Sequence, residues 1–179
     1  MPGAPLTTKN IVVGEAEVDR VRSIILDQQL SGNTEIVAEY EAALAIYFGS
    51  SFASTCSSGT TGLLLAFQAL GVGIGDEVIM PPTAPVMSAL PILALGATPV
   101  FCDIQDPLAF ALSVKDVEAC ITARTKCILS VPMWGYPFDS QPLRELADAS
   151  KVGFVEDCSH AHGTVVAGEQ QGRTAHLAV

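Results

Sequence analysis

Short apolar runs alternate with helical segments over residues 52–179, and this alternation restricts the fold more than any other feature of the sequence. Six runs have β-type patterning: Phe52–Cys56, Glu77–Met80, Pro99–Cys102, Cys127–Val131, Gly153–Asp157 and His176–Val179. Four segments between them have helical patterning: Gly62–Leu70, Val86–Leu95, Val114–Ile121 and Gln141–Ser150. Apolar strands of this kind are covered on both faces, and helical crossovers join parallel strands. The sequence therefore predicts an α/β fold in three layers, with helices on both faces of a mostly parallel sheet.

Residues 1–50 are organised differently from the rest of the chain. Residues 1–13 are expected to form an extended arm, and two helices are predicted after it, over Glu15–Gln29 and Thr34–Phe48. Gly49 is expected to end the second helix, because glycine readily adopts the conformation that closes a helix. We therefore expect two parts, an arm with two helices over residues 1–50 and an α/β domain over residues 51–179.

Composition and charge exclude several classes of function. The chain of 179 residues has a net charge of −10 and no basic run, so it is poorly suited to bind nucleic acid or an anionic membrane. Its five cysteines are odd in number, form no Cys-x-x-Cys motif and lie mostly in apolar runs, which indicates reduced thiols in the cytoplasm. The first five residues lack the basic and apolar regions of a signal peptide.

The segment Val78–Cys102 has 25 residues without a charge, which is long enough to cross a bilayer. It also contains five prolines, and its two ends have β-type patterning. Proline disrupts helices, so we expect two strands and a short helix here instead of a membrane span.

A candidate anion site lies between the first predicted strand and the helix that follows it. Small polar residues form the turn Ser57–Thr61, and the helix after the turn carries no charge. The first backbone N–H groups of a helix have no partner within the helix, and the helix dipole places partial positive charge there. Gly59 lets a ligand approach the backbone, while Ser58 and Thr60 offer hydroxyl groups. The turn suits a phosphate group, although Ser and Thr at a helix start also occur simply as N-caps.

A second polar cluster, formed by Asp157, Cys158, His160 and His162, follows the fifth predicted strand. The cluster lacks the paired spacing of zinc motifs, which argues against a metal site without excluding it. In a purely structural interpretation the acid caps a turn and the histidines lie at the surface. In a third interpretation Asp157 is a buried carboxylate that contacts a cofactor and keeps a heteroaromatic nitrogen protonated.

The two clusters are expected at the same edge of the sheet, because ligands of parallel sheets bind at the carboxyl ends of the strands. The turn Ser57–Thr61 would hold a phosphate there, and Asp157 would offer a carboxylate. A pyridine ring that carries a phosphate fits this pair, which indicates pyridoxal 5′-phosphate (PLP) as the cofactor.

Several motifs, spread over nearly the whole chain, resemble those of the DegT/DnrJ/EryC1/StrS aminotransferases, PLP-dependent enzymes of fold type I that act on sugars and cyclitols. The motifs are Leu30–Gly49, Ser57–Thr60, Gly71–Ile79, Gly96–Ile104, Thr125–Ile128, Trp134–Asp139 and Glu156–Gly163. The resemblance implies the large PLP-binding domain of that fold, here partial, because the sequence stops before the last strands and before the C-terminal domain.

The resemblance also implies which residues bind the cofactor. Ser58, Gly59 and Thr60 would hold its phosphate, Asp157 would pair with the pyridinium nitrogen, and His160 would lie near the phenolic oxygen of the ring. The aromatic residue that usually stacks on the ring is replaced here by Pro85, which brings no π system.

The lysine that forms the Schiff base in this family has no counterpart in the chain. Its position falls a few residues after Val179, and none of the four lysines matches it: Lys9, Lys115, Lys126 and Lys151. We therefore expect no catalytic residue on this chain and a second chain, homologous or complementary, that supplies the lysine in a dimer. An alternative is that these 179 residues are a fragment of a longer gene product.

The resemblance implies part of a PLP-dependent aminotransferase that acts on a nucleotide-linked keto sugar or a cyclitol, with glutamate or glutamine as amino donor. The implied context is the biosynthesis of secondary metabolites such as antibiotics, or of cell-surface sugars. Two alternatives remain open: a non-catalytic interaction or scaffold subunit derived from the family, and a component of a PLP-dependent sugar dehydratase.

Overall fold

A computed structural model describes residues 13–105 and 110–179 of the chain. The predicted arm therefore lies outside the described residues except for its last residue, Val13, and so does Lys9. The helices are α1 (Glu15–Leu26), α2 (Glu35–Phe48), α3 (Gly59–Ala69), α4 (Val86–Ala94), α5 (Val114–Cys120) and α6 (Gln141–Ser150). The strands are β1 (Glu77–Met80), β2 (Thr98–Phe101), β3 (Thr125–Ser130), β4 (Gly153–Glu156), β5 (Val165–Val166), β6 (Glu169–Gln170) and β7 (Leu177–Ala178).

Five of these strands form one sheet in the order β2–β1–β3–β4–β7, and every pairing in it is parallel. The register sets Ser130 of β3 beside Glu156 of β4, and Glu156 beside Ala178 of β7, so that the carboxyl ends of these three strands are level. The predicted α/β fold with a mostly parallel sheet is confirmed.

Helices cover both faces of the sheet, because successive strand residues point to opposite sides. On one face, Leu63 and Phe67 of α3 and Ile92 of α4 pack in a cluster with Val78 and Val155 of the sheet. The other face has a separate cluster, in which α5 and α6 pack on β1, β3 and β4 through Val117, Leu143, Ala147, Ile79, Ile128 and Phe154. These two clusters form the core of the predicted three layers.

The strand predicted over Phe52–Cys56 is wrong. This segment is irregular, and the side chain of Phe52 is 91 % exposed. A β-type run becomes a strand only where another strand offers its N–H and C=O groups alongside. Here the backbone N–H and the hydroxyl of Thr55 instead donate to Oε1 of Glu41, at 2.6 and 2.9 Å. A carboxylate of α2 thus takes the hydrogen bonds that a neighbouring strand would supply.

A short hairpin, β5–β6, was not predicted. Its strands have two residues each, which is too short for a periodic pattern to be recognised. Ala167 and Gly168 both have positive φ, 51° and 88°, as the two central residues of a type I′ hairpin turn require.

The segment Val78–Cys102 contains β1, α4 and β2, as predicted. Over residues 13–105 and 110–179, no helix has both the length and the apolar character needed to cross a membrane.

Helices α1 and α2 carry no buried residue. Arg20 of α1 and Glu39 of α2 form an ion pair at 2.5 Å with both side chains more than half exposed. An ion pair this exposed contributes little to stability, so it does not by itself explain how α1 and α2 are positioned relative to each other.

Candidate functional site

Helix α3 begins at Gly59, three residues before its predicted start, and this earlier start shapes the candidate anion site. Ser58 is the N-cap, and its Oγ accepts a hydrogen bond from the N–H of Thr61 at 3.2 Å. The first hydrogen bond of the helix backbone runs from the N–H of Gly62 to the carbonyl of Ser58. The N–H groups of Gly59 and Thr60 precede this bond and point out of the helix start, as anion-binding N–H groups do.

Hydroxyl groups surround the start of α3. The hydroxyls of Ser57 and Ser58 each lie within hydrogen-bonding distance of Oγ1 of Thr61, at 3.1 and 3.0 Å. The N-cap interpretation and the anion interpretation are thus compatible, because Ser58 caps the helix while two backbone N–H groups stay available for a ligand.

Asp157 follows β4 directly and is 6 % exposed, so its carboxylate needs partners. Its Oδ1 accepts hydrogen bonds from the hydroxyl of Ser159 at 2.6 Å and from the N–H of Ser159 at 3.2 Å. Its Oδ2 accepts one from the hydroxyl of Ser88 at 2.8 Å. A carboxylate offers about four acceptor positions. Within the described residues, Oδ2 therefore has one position left for a donor on a ligand.

The two candidate clusters are adjacent. A Cβ atom built on Gly59 would lie 3.3 Å from the hydroxyl oxygen of Ser159, and the same hydroxyl donates to Asp157. The start of α3 and the loop after β4 thus meet at the carboxyl edge of the sheet, which the sequence predicts as the position of a ligand.

Pro85 is half-buried and is the residue before α4, where it precedes the first turn of the helix. The carbonyl of Pro85 accepts a hydrogen bond from the N–H of Ser88 at 2.9 Å, and Ser88 bonds Asp157 through its hydroxyl. Pro85 is therefore connected to Asp157 through a single residue.

His160 is exposed in the turn after Asp157, and no part of the described structure donates to or accepts from its ring. His162 lies edge-on against Phe48 with 5.9 Å between the ring centroids, so its ring is used in packing. Among the described residues, no three His, Cys, Asp or Glu side chains are grouped so that they could hold a metal ion.

Cys158 is buried, and burial raises the pKa of its thiol above the ordinary range, with the nearby carboxyls of Glu156 and Asp157 adding to the effect. A thiol in this state stays protonated at neutral pH and is a poor nucleophile or metal ligand. The chemistry of this cluster therefore rests on Asp157 and its neighbours.

The three described lysines lie away from the Asp157 carboxylate. Lys126 is near the amino end of β3, and Lys151 is the C-cap of α6, two residues before β4 begins. Lys115 belongs to α5, which packs on the opposite face of the sheet from Val155 and Asp157. Within residues 13–105 and 110–179, the structure therefore brings no lysine to the candidate site.

Sequence reasoning missed Ser88 and Ser159, the two donors to Asp157. A signal for Ser88 was present, because it is the one polar residue in the apolar helix α4. A polar residue at such a position is buried only with a partner. No comparable signal marks Ser159, because serine is common in turns.

The candidate site has the groups that PLP would need. Two backbone N–H groups at the start of α3 suit a phosphate, and Oδ2 of Asp157 has an acceptor position for a ring N–H. The hydroxyl of Ser159 connects these two parts.

Comparison with known proteins identifies the same family that the sequence motifs resemble. Residues 12–179 match the DegT/DnrJ/EryC1/StrS aminotransferase family. The chain is 39 % identical over 143 residues to a GDP-perosamine synthase of Caulobacter vibrioides, a match that covers 80 % of this chain and 38 % of that protein. It is 40 % identical over 136 residues to an L-glutamine:2-deoxy-scyllo-inosose aminotransferase of Streptomyces lividus, covering 76 % of this chain and 32 % of that protein.

Solved structures of aminotransferases have the same fold. An aminotransferase from Psychrobacter cryohalolentis superposes with a TM-score of 0.84 at 32 % identity, over 89 % of this chain and 40 % of that chain. An aminotransferase of Streptoalloteichus hindustanus superposes with a TM-score of 0.81 at 32 % identity, over 92 % of this chain and 45 % of that chain. The chain thus spans about a third to two fifths of the length of the two curated relatives above.

Proposed function

Because the chain belongs to the DegT/DnrJ/EryC1/StrS aminotransferase family, we propose that it forms the cofactor-binding part of a PLP-dependent aminotransferase acting on a keto sugar or a cyclitol. The observation that carries the proposal is the contact between the start of α3 and the buried carboxylate of Asp157, made through Ser159. In this proposal residues 51–179 hold the cofactor, and residues 1–50 form a separate part with two helices.

The proposed phosphate site uses the backbone at the start of α3. The N–H groups of Gly59 and Thr60 donate to the phosphate, and Ser58 holds the helix start in place as its N-cap. Since the chain carries a net charge of −10, the attraction for an anion comes from these local dipoles and not from the overall field.

The proposed ring site is centred on Asp157. Its Oδ2 accepts the N–H of the ring nitrogen and keeps the proton there, because a neighbouring carboxylate favours the charged form of a base. Pro85 would contact one face of the ring, and His160 would lie near the phenolic oxygen. When bound, PLP supplies the electron sink that amino transfer requires.

The lysine that carries the cofactor is proposed to come from outside these 179 residues, from a second subunit of a dimer or from further sequence. The substrate is proposed to be a nucleotide-linked keto sugar or a keto cyclitol, with glutamine or glutamate as donor. The names of the two curated relatives, one a GDP-sugar enzyme and one a glutamine-dependent cyclitol enzyme, support this choice. The proposed setting is a cytoplasmic route to an antibiotic or to a cell-surface sugar.

The first experiment locates the cofactor. The full-length protein with its partner is loaded with PLP, reduced with borohydride and digested, and mass spectrometry then identifies the residue that carries the pyridoxyl group. We expect a lysine outside residues 1–179. A pyridoxyl group on any of the four lysines within residues 1–179 would contradict the proposed division of the site, and a protein that binds no PLP would contradict the proposal as a whole.

The second experiment tests the reaction. L-Glutamine and L-glutamate are each paired with 2-deoxy-scyllo-inosose or with a GDP-linked keto sugar, and the amino product is measured by mass spectrometry. Amino transfer supports the proposal. Loss of water from the sugar without amino transfer would favour a dehydratase, and PLP binding with neither reaction would favour a non-catalytic subunit.

The role of Asp157 is tested with Asp157→Asn and Asp157→Ala. Both variants are expected to bind PLP more weakly and to shift its absorbance, because the ring nitrogen loses its carboxylate partner. Unchanged affinity and an unchanged spectrum in both variants would remove Asp157 from the site.

A further inference from the structure

Ser88 is a buried polar residue in an apolar helix. It is 1 % exposed, and the remainder of α4 consists of apolar residues. Its hydroxyl donates to Oδ2 of Asp157 at 2.8 Å, a contact between residues that are 69 positions apart in the sequence. A buried hydroxyl costs free energy unless it has a partner, so this hydrogen bond is the reason that a serine is tolerated here.

The backbone of Ser88 makes a second connection. Its N–H donates to the carbonyl of Pro85 at 2.9 Å, in the turn that starts α4. Ser88 therefore holds the turn that contains Pro85 with its backbone and the Asp157 carboxylate with its side chain.

The hydrogen bonds of Asp157 define which oxygen faces a ligand. Ser159 donates twice to Oδ1, which fills the acceptor positions of that oxygen. Ser88 donates once to Oδ2 and leaves a position open. Because each oxygen has its own donor, the carboxyl plane is fixed, and the open position on Oδ2 has a defined direction.

We propose that Ser88 is a positioning residue of the cofactor site, which orients Oδ2 of Asp157 toward the nitrogen of a protonated pyridine ring and fixes the turn at Pro85 relative to it. The inference rests on the proposed function, since it takes Asp157 as the partner of the ring nitrogen. Ser88 thus belongs to the cofactor site through its bond to the Asp157 carboxylate, without contacting the cofactor itself.

The test compares four variants of the full-length protein. Ser88→Ala removes the donor, and Ser88→Thr keeps a hydroxyl at the same carbon. Ser130→Ala is the matched control. Ser130, the last residue of β3, is as buried as Ser88, at 1 % exposed, but its hydroxyl has no hydrogen-bond partner among the described residues. Asp157→Asn tests the premise.

Two quantities are measured: the dissociation constant for PLP, and the ¹⁵N chemical shift of PLP labelled at the ring nitrogen, followed over pH. We expect Ser88→Ala to weaken PLP binding about tenfold, as loss of a hydrogen bond to a charged group does. We also expect its ring nitrogen to lose the proton at lower pH than in the unsubstituted protein. Ser88→Thr should restore both quantities to within about threefold of the unsubstituted protein, and Ser130→Ala should change neither.

The outcomes separate the inference from its premise. If Asp157→Asn leaves both quantities unchanged, the proposed role of Asp157 fails, and the role of Ser88 fails with it. If Asp157→Asn changes them while Ser88→Ala behaves like Ser130→Ala, only the positioning role is overturned. A weaker affinity in Ser88→Ala with an unchanged nitrogen shift, not restored by threonine, would also overturn it, because that pattern reports packing.

Discussion

A Cβ atom on Gly59 would lie 3.3 Å from the hydroxyl oxygen of Ser159, so the start of α3 and the loop after β4 are in direct contact. The contact brings an N-terminal helix end with free N–H groups next to the buried carboxylate of Asp157, to which the same hydroxyl donates at 2.6 Å. A ligand that bonds both groups, through a phosphate and a protonated nitrogen, would lie beside this contact. The side chains on either side of it therefore control the space that is available to the cofactor.

Gly59→Ala is expected to weaken PLP binding several-fold without destabilising the fold. Alanine is favoured over glycine in a helix by about 1 kcal/mol. A methyl group at 3.3 Å would nevertheless force the Ser159 hydroxyl to move and disturb its bond to Asp157. Absorbance titration gives the dissociation constant, and urea unfolding gives the stability.

Gly73→Ala is the matched control, because a Cβ on Gly73 would meet no atom within 4 Å. This variant should bind PLP like the unsubstituted protein. Equal PLP affinity in Gly59→Ala and Gly73→Ala would show that the contact between α3 and Ser159 does not limit the cofactor site.

The layers of the fold were predictable because they depend on local patterns. Val78 and Ile79 belong to an apolar run, and such a run is stable only when it is covered on both faces. The two residues indeed lie in separate clusters on opposite faces. The alternation of apolar runs with helical segments then fixes the parallel arrangement.

The segment Phe52–Cys56 shows where local patterns fail. Its composition favours a strand, but a strand depends on partners distant in the sequence, and Thr55 instead bonds Glu41. The same limit applies to the candidate site. The sequence indicated Asp157 through its position after an apolar run, whereas its pairing with Ser88 depends on how α4 packs against the loop after β4.

Glu156 is expected to make stability depend on pH near neutrality. It is fully buried, and burial raises the pKa of its carboxyl from 4.5 to about 7, although hydrogen bonds from Gln171 and Ser140 oppose the shift. Between these two pH values the folded protein keeps a proton that the unfolded chain releases. The free energy of unfolding therefore falls as pH rises, by about 3 kcal/mol from pH 4.5 to pH 8.

Glu156→Gln provides the measurement. Glutamine keeps an acceptor for Nε2 of Gln171, now 2.9 Å from Oε1 of Glu156, and removes the charge. Urea unfolding at pH 5 and pH 8 should show a loss of stability at pH 8 in the unsubstituted protein and little change in the variant. An equal loss in both proteins would assign the pH dependence to another group.

Glu77 is expected to have the opposite effect at acidic pH. Its carboxyl accepts a hydrogen bond from the hydroxyl of Thr122 at 2.5 Å and is paired with the guanidinium of Arg124. The bond from Thr122, together with the hydrogen bond and the charge of Arg124, lowers the pKa of the Glu77 carboxyl. The stability that Glu77 contributes is present above pH 4.5 and is lost as pH falls through its lowered pKa.

Glu77→Gln should reduce the loss of stability that accompanies a fall in pH, because the variant has no carboxyl to protonate at this position. Acid unfolding followed by circular dichroism between pH 2 and pH 6 makes the comparison. Arg124→Gln should unfold at a higher pH than the unsubstituted protein, because it removes one of the two partners that lower the pKa of Glu77. If all three proteins unfold over the same pH range, the contacts of Glu77 do not contribute to stability at acidic pH.

The cysteines should differ in reactivity, and the most reactive one is next to the proposed phosphate site. Cys56 is exposed and its thiol lies 3.1 Å from the carbonyl of Ser58, whereas burial raises the pKa of the Cys127 and Cys158 thiols above the ordinary range. Alkylation with iodoacetamide at pH 7.5, followed by peptide mapping, should therefore label Cys56 long before Cys127 or Cys158.

PLP should slow the labelling of Cys56, because a phosphate bound at the N–H groups of Gly59 and Thr60 covers the approach to the Ser58 turn. Cys56→Ser should remove the fast labelling phase and leave the slow phase of the buried thiols unchanged. Inorganic phosphate at high concentration should give partial protection, since it occupies only the helix start. Labelling of Cys56 at the same rate with and without PLP would place the phosphate elsewhere and leave the start of α3 as a helix cap alone.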